Sequence, residues 1–284
     1  MQHRVLHAAG LFLFLTAGFV TGATPDAAPG DVVRKTDHGF INWTTLTLHA
    51  ESSRIWDGRA GTALAARGPA YTALHRQTLA LLHHTLFTLP VDGRTTLAGL
   101  SEETDEPGQT LENMVHERSF SWIPFHAKNG QVRMGLAFRL MEPRGVLTLL
   151  TNQYPIYELP PVPRAQVRAA FHHSGVVIDA RHLPFVPALG TRIFNASGDL
   201  VYGIVHTDRV VFAALNHILF LSSPSDPRIK ERAGERFALM VAKNTRGEKH
   251  TDLELFDADS DRILASTVTR DALRRCKVII LCKP

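Results

Sequence analysis

The chain has 284 residues, 44% hydrophobic and 20% charged, enough for a sizeable core in one large domain or two ordinary ones. Its net charge of +4 is spread along the chain, and no basic run interleaves with aromatics. That argues against a nucleic-acid partner and leaves at most a weak attraction to an acidic surface, such as a cell-wall polymer or anionic lipid.

The N-terminus reads as a cleavable export signal over residues 1–23. Arg4 and two histidines precede "AAGLFLFLTAGFV", an apolar run of 13 residues, which small residues and the turn-rich "TPDAAPGD" follow. The run is shorter than the roughly 20 residues that cross a bilayer, so no transmembrane span is expected. No cysteine lies near the junction for a lipid anchor, and the mature chain should begin near Thr24 in the periplasm.

Residues 24–38, rich in Pro, Ala, Gly and Asp, are expected to be a flexible arm. "FINWTTLTLHAES" then suggests a strand through Ile41, Trp43, Leu46 and Leu48. Gly68-Pro69 opens a helix with apolar residues on two faces, Ala70, Ala73, Leu74 and Leu81 against Tyr71, Leu82 and Leu86, as suits a helix packed on more than one side. "SEETDEPGQT" reads as an acidic exposed loop. Asn129-Gly130 is the favoured dipeptide of a tight hairpin, and Val132, Met134, Leu136, Phe138 and Leu140 alternate after it as a half-buried strand must. "GVLTLLTN" suits a further strand.

Four prolines between Pro155 and Pro163 place a linker at 154–166. The first domain is then 39–153 and the second 167–284. The second resumes with the strand "GVVIDA", then two strands about a turn at Ser197-Gly198, and a helix near "DRVVFAALNHILFL". Strands "RFALMVAK" and "TDLELF", helical "DADSDRILAST" and "TRDALRRC", and a last strand "KVIIL" complete it. The expected class is α+β, in two small α/β-type units: strand, long helix and antiparallel hairpin first, then a mixed sheet with helices.

The chemistry-bearing residues point to no common catalytic route. The fifteen histidines include the adjacent pairs His83-His84 and His172-His173, whose side chains diverge and cannot easily share a metal. "DADSDRILASTV" starts like a calcium loop, but Arg262 stands where the turn glycine belongs and Val268 where the bidentate glutamate belongs. Its acids suit the first turn of a helix. Nucleophile-elbow, dinucleotide and phosphate-loop signatures are absent. Cys276 and Cys282 bracket a strand that would hold them roughly 20 Å apart, too far for a disulfide. No catalytic, cofactor-binding or metal residue is therefore assigned.

One stretch stays open. In "VVIDARHLPFVPALG", Asp179 and Arg181 at alternate strand positions should pair, with His182 starting a proline-stiffened loop. A charged pair suits a structural brace better than a general base, which needs a pKa near neutral. As a buried pair it should cost about 3–5 kcal/mol to break. The alternative is a periplasmic enzyme or small-ligand-binding protein with its site at Asp179, Arg181 and His182.

The same residues carry a family likeness. "SGVVIDARHLPFVPALGTRIFNASGDLVYG" resembles a segment of exported bacterial proteins related to the flagellar assembly protein FlgT and to small outer-membrane lipoproteins. The matching positions are Val177 to Arg181, Pro187-Ala188-Leu189, Arg192-Ile193, Gly198 and Val201-Tyr202-Gly203. Upstream, Ile41-Asn42-Trp43, Ala66-Arg67, Ala73, Arg76, Leu79, Val91-Asp92-Gly93 and Thr95-Thr96 resemble the same group, as do "ALMVAKN" and "LRRCKVIIL" downstream. Asn42 and Thr72 depart from it by replacing acids, His182 by replacing a glycine, and the lipoprotein cysteine is missing. The resemblance implies a FlgT N-terminal-like domain over 39–153. It also implies a non-enzymatic structural or assembly role in the periplasm, with flagellar basal-body, filament or other envelope proteins as partners. A homo-oligomer stays open.

Overall fold

The computed structural model describes residues 27–55, 67–102, 105–121, 131–141, 145–161 and 171–284. The expected signal peptide, the Asn129-Gly130 turn and residues 162–166 of the linker lie outside them.

The first half is an antiparallel sheet backed by a long helix. Strands β1 (Val33–Thr36), β2 (Gly39–Asn42), β3 (Thr47–Ile55), β4 (Phe120–Ser121) and β5 (Gln131–Arg139) lie in the order β1-β2-β3-β5-β4. Helix α1 (Arg67–Thr88) packs across β3 and β5 and also meets α2 (Leu97–Glu102) and α3 (Asp105–Arg118). Its buried stripe runs Leu74, Thr78, Leu82, Thr85 and Leu86. The two threonines satisfy their hydroxyls on the carbonyls of Leu74 and Leu81, 2.8 Å away in each case. Tyr71, placed on a packed face by periodicity, is exposed. On β5, Met134, Leu136 and Phe138 are buried, and so is Leu140 just after it, as their alternation requires.

Four sequence expectations fail here. The loose arm contains β1, paired with β2 from Val33↔Asn42 to Thr36↔Gly39. The single strand through Trp43 is two strands, because the Asn42 side chain accepts the backbone N–H groups of Thr44 and Thr45 at 3.0 and 3.1 Å and closes a turn. "GVLTLLTN" is helix α4 (Val146–Gln153), with Val146, Leu147 and Leu150 buried together at helical spacing. The acidic "loop" likewise enters α3 (Asp105–Arg118).

The second half contains two sheets. β6 (Val176–Asp179), β9 (Ile218–Leu221), β10 (Ala238–Val241) and β13 (Val278–Leu281) form an all-parallel sheet in the order β10-β6-β13-β9. β7 (Ile193–Phe194), β8 (Leu200–Tyr202), β11 (Asn244–Arg246) and β12 (Asp252–Glu254) form the order β11-β12-β7-β8. Helices α5 (Arg209–Leu215), α6 (Arg228–Ala233), α7 (Asp257–Leu264) and α8 (Thr267–Arg274) connect them. The expected helix near "DRVVFAALNHILFL" stops at Leu215, because Asp208 caps its start through Val210 and Val211 and "ILFL" joins the sheet as β9. The α+β class holds.

Buried residues of both halves share one large cluster, from Val32, Ile41 and Trp43 to Ile178, Phe220 and Ile280, while Val177, Leu221, Ile279 and Leu281 form a smaller one with Ile229 of α6. The proline-rich junction is also tied down over its described part. Arg270 of α8 donates to the carbonyls of Leu159 and Pro160 at 2.7 Å each, and the Tyr157 N–H to Val205 O at 2.6 Å.

Candidate functional site at the strand ends

An open parallel sheet takes ligands beyond the carboxyl ends of its strands, so the site is built from there. β6 ends at Asp179, β9 at Leu221 and β13 at Leu281. The N-terminal segment lies against the ends of β9 and β13. Ser222 N–H donates to Gly30 O at 2.9 Å, Thr44 Oγ1 to Phe220 O at 2.7 Å, and Arg34 Nη2 to Lys283 O at 3.0 Å. Trp43, 3% exposed, sets its ring edge-on to Phe220 with centroids 6.1 Å apart. A cleft of about 440 Å³ remains beside this seam, lined in part by Ile41, Trp43, Leu89, Phe185, Arg34 and Lys283. Asp179, Arg181 and His182 do not line it.

A carboxylate cluster locks the seam. Arg228 Nε and Nη2 hold the two oxygens of Asp226 at 2.9 and 2.7 Å, while Nη1 reaches Asp31 Oδ1 at 2.7 Å. Asp31 Oδ2 accepts from Asn42 Nδ2 at 2.7 Å and from the Ala28 N–H at 3.0 Å. The Asp31 and Asp226 side chains are 1% and 3% exposed. The Arg228 guanidinium holds the Asp226 carboxyl below its ordinary range, outweighing the opposing effect of burial. Gly30 is required here: its φ is +90°, and a Cβ would collide with Asp226 Oδ2.

Asp179 and Arg181 pair as their spacing predicts. Arg181 Nε and Nη2 donate to Asp179 Oδ1 and Oδ2 at 2.9 and 2.6 Å, and the Arg181 N–H to Oδ1 at 3.1 Å. These bonds hold the Asp179 carboxyl below its ordinary range, so it stays ionised and accepts no proton near neutrality. His182 is exposed and shares no hydrogen bond with either. The pair is not buried as expected: the side chains of Asp179 and Arg181 are 24% and 39% exposed. The cause is position, since β6 ends there and the chain leaves the sheet.

Two further arginines carry structure that the sequence reading passed over. Arg232 of α6 donates to the carbonyls of Cys276, Leu215 and Asn216, closing the end of α5 against the turn before β13. Arg192 donates from its backbone N–H to Asp252 Oδ1 at 2.9 Å and from Nη2 to Oδ2 at 2.7 Å. Asp252 is 3% exposed, and Asp92 Oδ2 stands 3.8 Å from Arg192 Nη1. Only long-range pairing betrays these groups, and sequence spacing does not carry it.

The cysteines flank β13, both buried and free, and burial pushes each thiol up to about 12. They are unreactive as nucleophiles near neutral pH. Among the described residues no group of three His, Cys, Asp or Glu is placed to hold a metal, and no helix is long and apolar enough to cross a membrane.

Residues 175–284 match the family model described as Treponema pallidum Tp0624, second domain. The match begins one residue before β6 and takes in both sheets of the second half. That part of the chain is similar to that domain. No curated protein matches the chain.

Proposed function

We propose that this is an exported, non-enzymatic structural or assembly protein of the periplasm, working in the flagellar apparatus or another envelope complex. The observation that carries the reading is the seam. The ends of β9 and β13, where a parallel sheet would take a substrate, are bonded to the protein's own N-terminal segment at Gly30, Thr44 and Arg34, and Asp31 ties that segment to α6. The Asp179–Arg181 pair supports it too, because both groups are spent on each other. The resemblance of residues 174–203 to FlgT-related proteins supplies the flagellar direction, and the apolar run at residues 8–20 supplies export.

Cell fractionation with co-purification of the native protein tests this reading. The expected result is a chain that lacks its first 23 residues and leaves the envelope fraction with protein partners. A native chain that retains Met1 and stays in the cytosol would sink it. So would a partner-free protein that turns over a small molecule and loses that activity in Asp179→Asn with its melting temperature unchanged.

A further inference from the structure

Away from the strand ends, a cleft of about 690 Å³ opens where the two halves meet along the second sheet. Its wall includes Gly93 and Arg94 from the loop after α1, Phe194 of β7, and Arg246 and Lys249 at the turn between β11 and β12. Two of the stretches that stand out in the sequence, residues 91–96 and 187–203, converge on it.

The charges in this cleft are unevenly spent. Arg192 is balanced by Asp252 and Asp92. Glu254 gives Oε1 to Lys243 at 2.8 Å and only approaches Arg246 Nε, with Oε2 at 3.8 Å. Arg94 and Lys249 have no ion pair among the described residues, and Glu248 is the one unpaired acid of the wall. An excess of positive charge therefore faces the cleft.

Arg246 is held in place without being satisfied. Its guanidinium lies 5.0 Å from the Phe194 ring centroid, and that of Arg192 lies 5.5 Å from the same centroid. An aromatic face thus positions two like charges near each other. Arg246 Nη1 is covered and has no hydrogen-bond partner, although the side chain as a whole is 37% exposed. A second polar atom is stranded nearby: Thr251, 0% exposed, leaves Oγ1 without a partner. That oxygen lies 3.5 Å from where a Cβ on Gly93 would stand, and Gly93 is part of the wall. Thr251 is not part of the wall, but the arginine is, and a guanidinium left short of partners there suits an anion that completes it.

We propose that this cleft binds a small molecule through an oxyanion, a carboxylate or phosphate that accepts from the Arg246 guanidinium and draws on Arg94 and Lys249. The planar guanidinium fork suits either anion. The volume is that of an ordinary small-molecule site. Binding here is independent of the assembly role and stands or falls without it.

The test is an NMR titration of the full mature chain, with inorganic phosphate in one arm and acetate in the other, at ionic strength held constant with sodium chloride. The expected result is saturable shifts at the Gly93, Gly198 and Gly247 amides and at the Arg246 Nε–H with at least one anion. A response to phosphate alone assigns a phosphate ligand, and to acetate alone a carboxylate. Arg246→Gln should weaken binding by about tenfold or more, as loss of a charge-assisted bond would. Lys249→Gln, an exposed change that folding tolerates, should weaken it by roughly two- to fivefold. No saturable shift with either anion overturns the proposal, as do shifts undiminished in both variants or spread evenly over the basic surface.

Discussion

At two of the places in this chain where an aspartate stands two residues before an arginine, the pair forms the same hydrogen bonds. At Asp179-Arg181 and at Asp226-Arg228 the arginine N–H and Nε both reach Oδ1, while Nη2 reaches Oδ2, with distances that agree within about 0.1 Å. The surroundings differ. Asp226 is 3% exposed and Arg228 spends its remaining nitrogen on the buried Asp31, whereas Asp179 and Arg181 stand 24% and 39% exposed with no third partner. The same local motif is a rivet in one place and a surface clasp in the other. Burial decides which, because water screens the exposed pair and competes for its hydrogen bonds.

The sharpest way to break this comparison is Arg228→Met. It leaves two buried carboxylates, Asp31 and Asp226, without their cation, and should cost about 3–5 kcal/mol. Melting of the variant beside wild type reads the size of the effect. Limited proteolysis should then cut earlier in residues 27–46, because the seam they form is anchored through Asp31. A variant that melts within about 1 kcal/mol of wild type would mean that the rivet carries no more than the clasp. Gly30→Ala attacks the same cluster from the backbone side, combining a positive φ with a collision at Asp226 Oδ2, and should also lose stability by more than about 1 kcal/mol.

Acid sharpens the comparison, because two buried histidines titrate before either pair does. Burial pulls His206 and His217 down to about 4 from an ordinary 6.5. A depressed folded pKa contributes stability that is complete above pH 6.5 and lost as pH falls toward 4, on the order of 3 kcal/mol for each group. Asp179 and Asp226 are themselves depressed, so their contributions persist through that window and fail only below the ordinary carboxylate range. Stability should therefore fall between pH 6.5 and 4 in wild type and fall less steeply in Arg228→Met, where burial without the cation raises the Asp226 carboxyl and protonation relieves the stranded charge. His217→Gln should flatten it. An unchanged slope in that variant would remove His217 from the account.

The comparison also marks what the sequence could disclose. Aspartate and arginine two residues apart in extended chain must face the same way, so the Asp179–Arg181 pair was legible from spacing alone. The alternation on β5 and the all-apolar run of β13 were legible for the same reason: their period is a local property. What decides burial is not local. Asp31 meets Arg228 across 197 residues of sequence, and Arg192 meets Asp252 across 60. The turn at Asn42 was written in a residue that bonds its own backbone, yet apolar neighbours on both sides masked it as one strand. Helix α4 was read as a strand because eight residues give too few turns to separate the two periods.

A polar bond across the seam should give an intermediate effect. Thr44 Oγ1 donates to Phe220 O at 2.7 Å and accepts the Val32 N–H at 2.9 Å, joining β9 to the start of the first sheet. Thr44→Val keeps the shape and removes both bonds, leaving a carbonyl and an N–H unmade, which should cost about 1–3 kcal/mol. Denaturant unfolding reads it. A loss of less than about 0.5 kcal/mol would show that water replaces the hydroxyl and that the seam is wetter than its packing implies.

The smallest effect should come from the stretch that drew attention first. Asp179→Ala removes the acceptor for Arg181, but Arg181 is exposed enough for water to take over its donors. The expected loss is about 0.5–1 kcal/mol, well below the 3–5 kcal/mol that a buried pair would give. Salt separates the two cases further. An exposed pair weakens as the screening length falls to about 3 Å at 1 M ionic strength, so Asp179→Ala and wild type should melt more nearly alike in 1 M sodium chloride. The Arg228→Met gap should persist there, since Asp31 and Asp226 lie away from the ions. A loss of 3 kcal/mol or more in Asp179→Ala, independent of salt, would make that pair a second rivet and erase the distinction between the two sites.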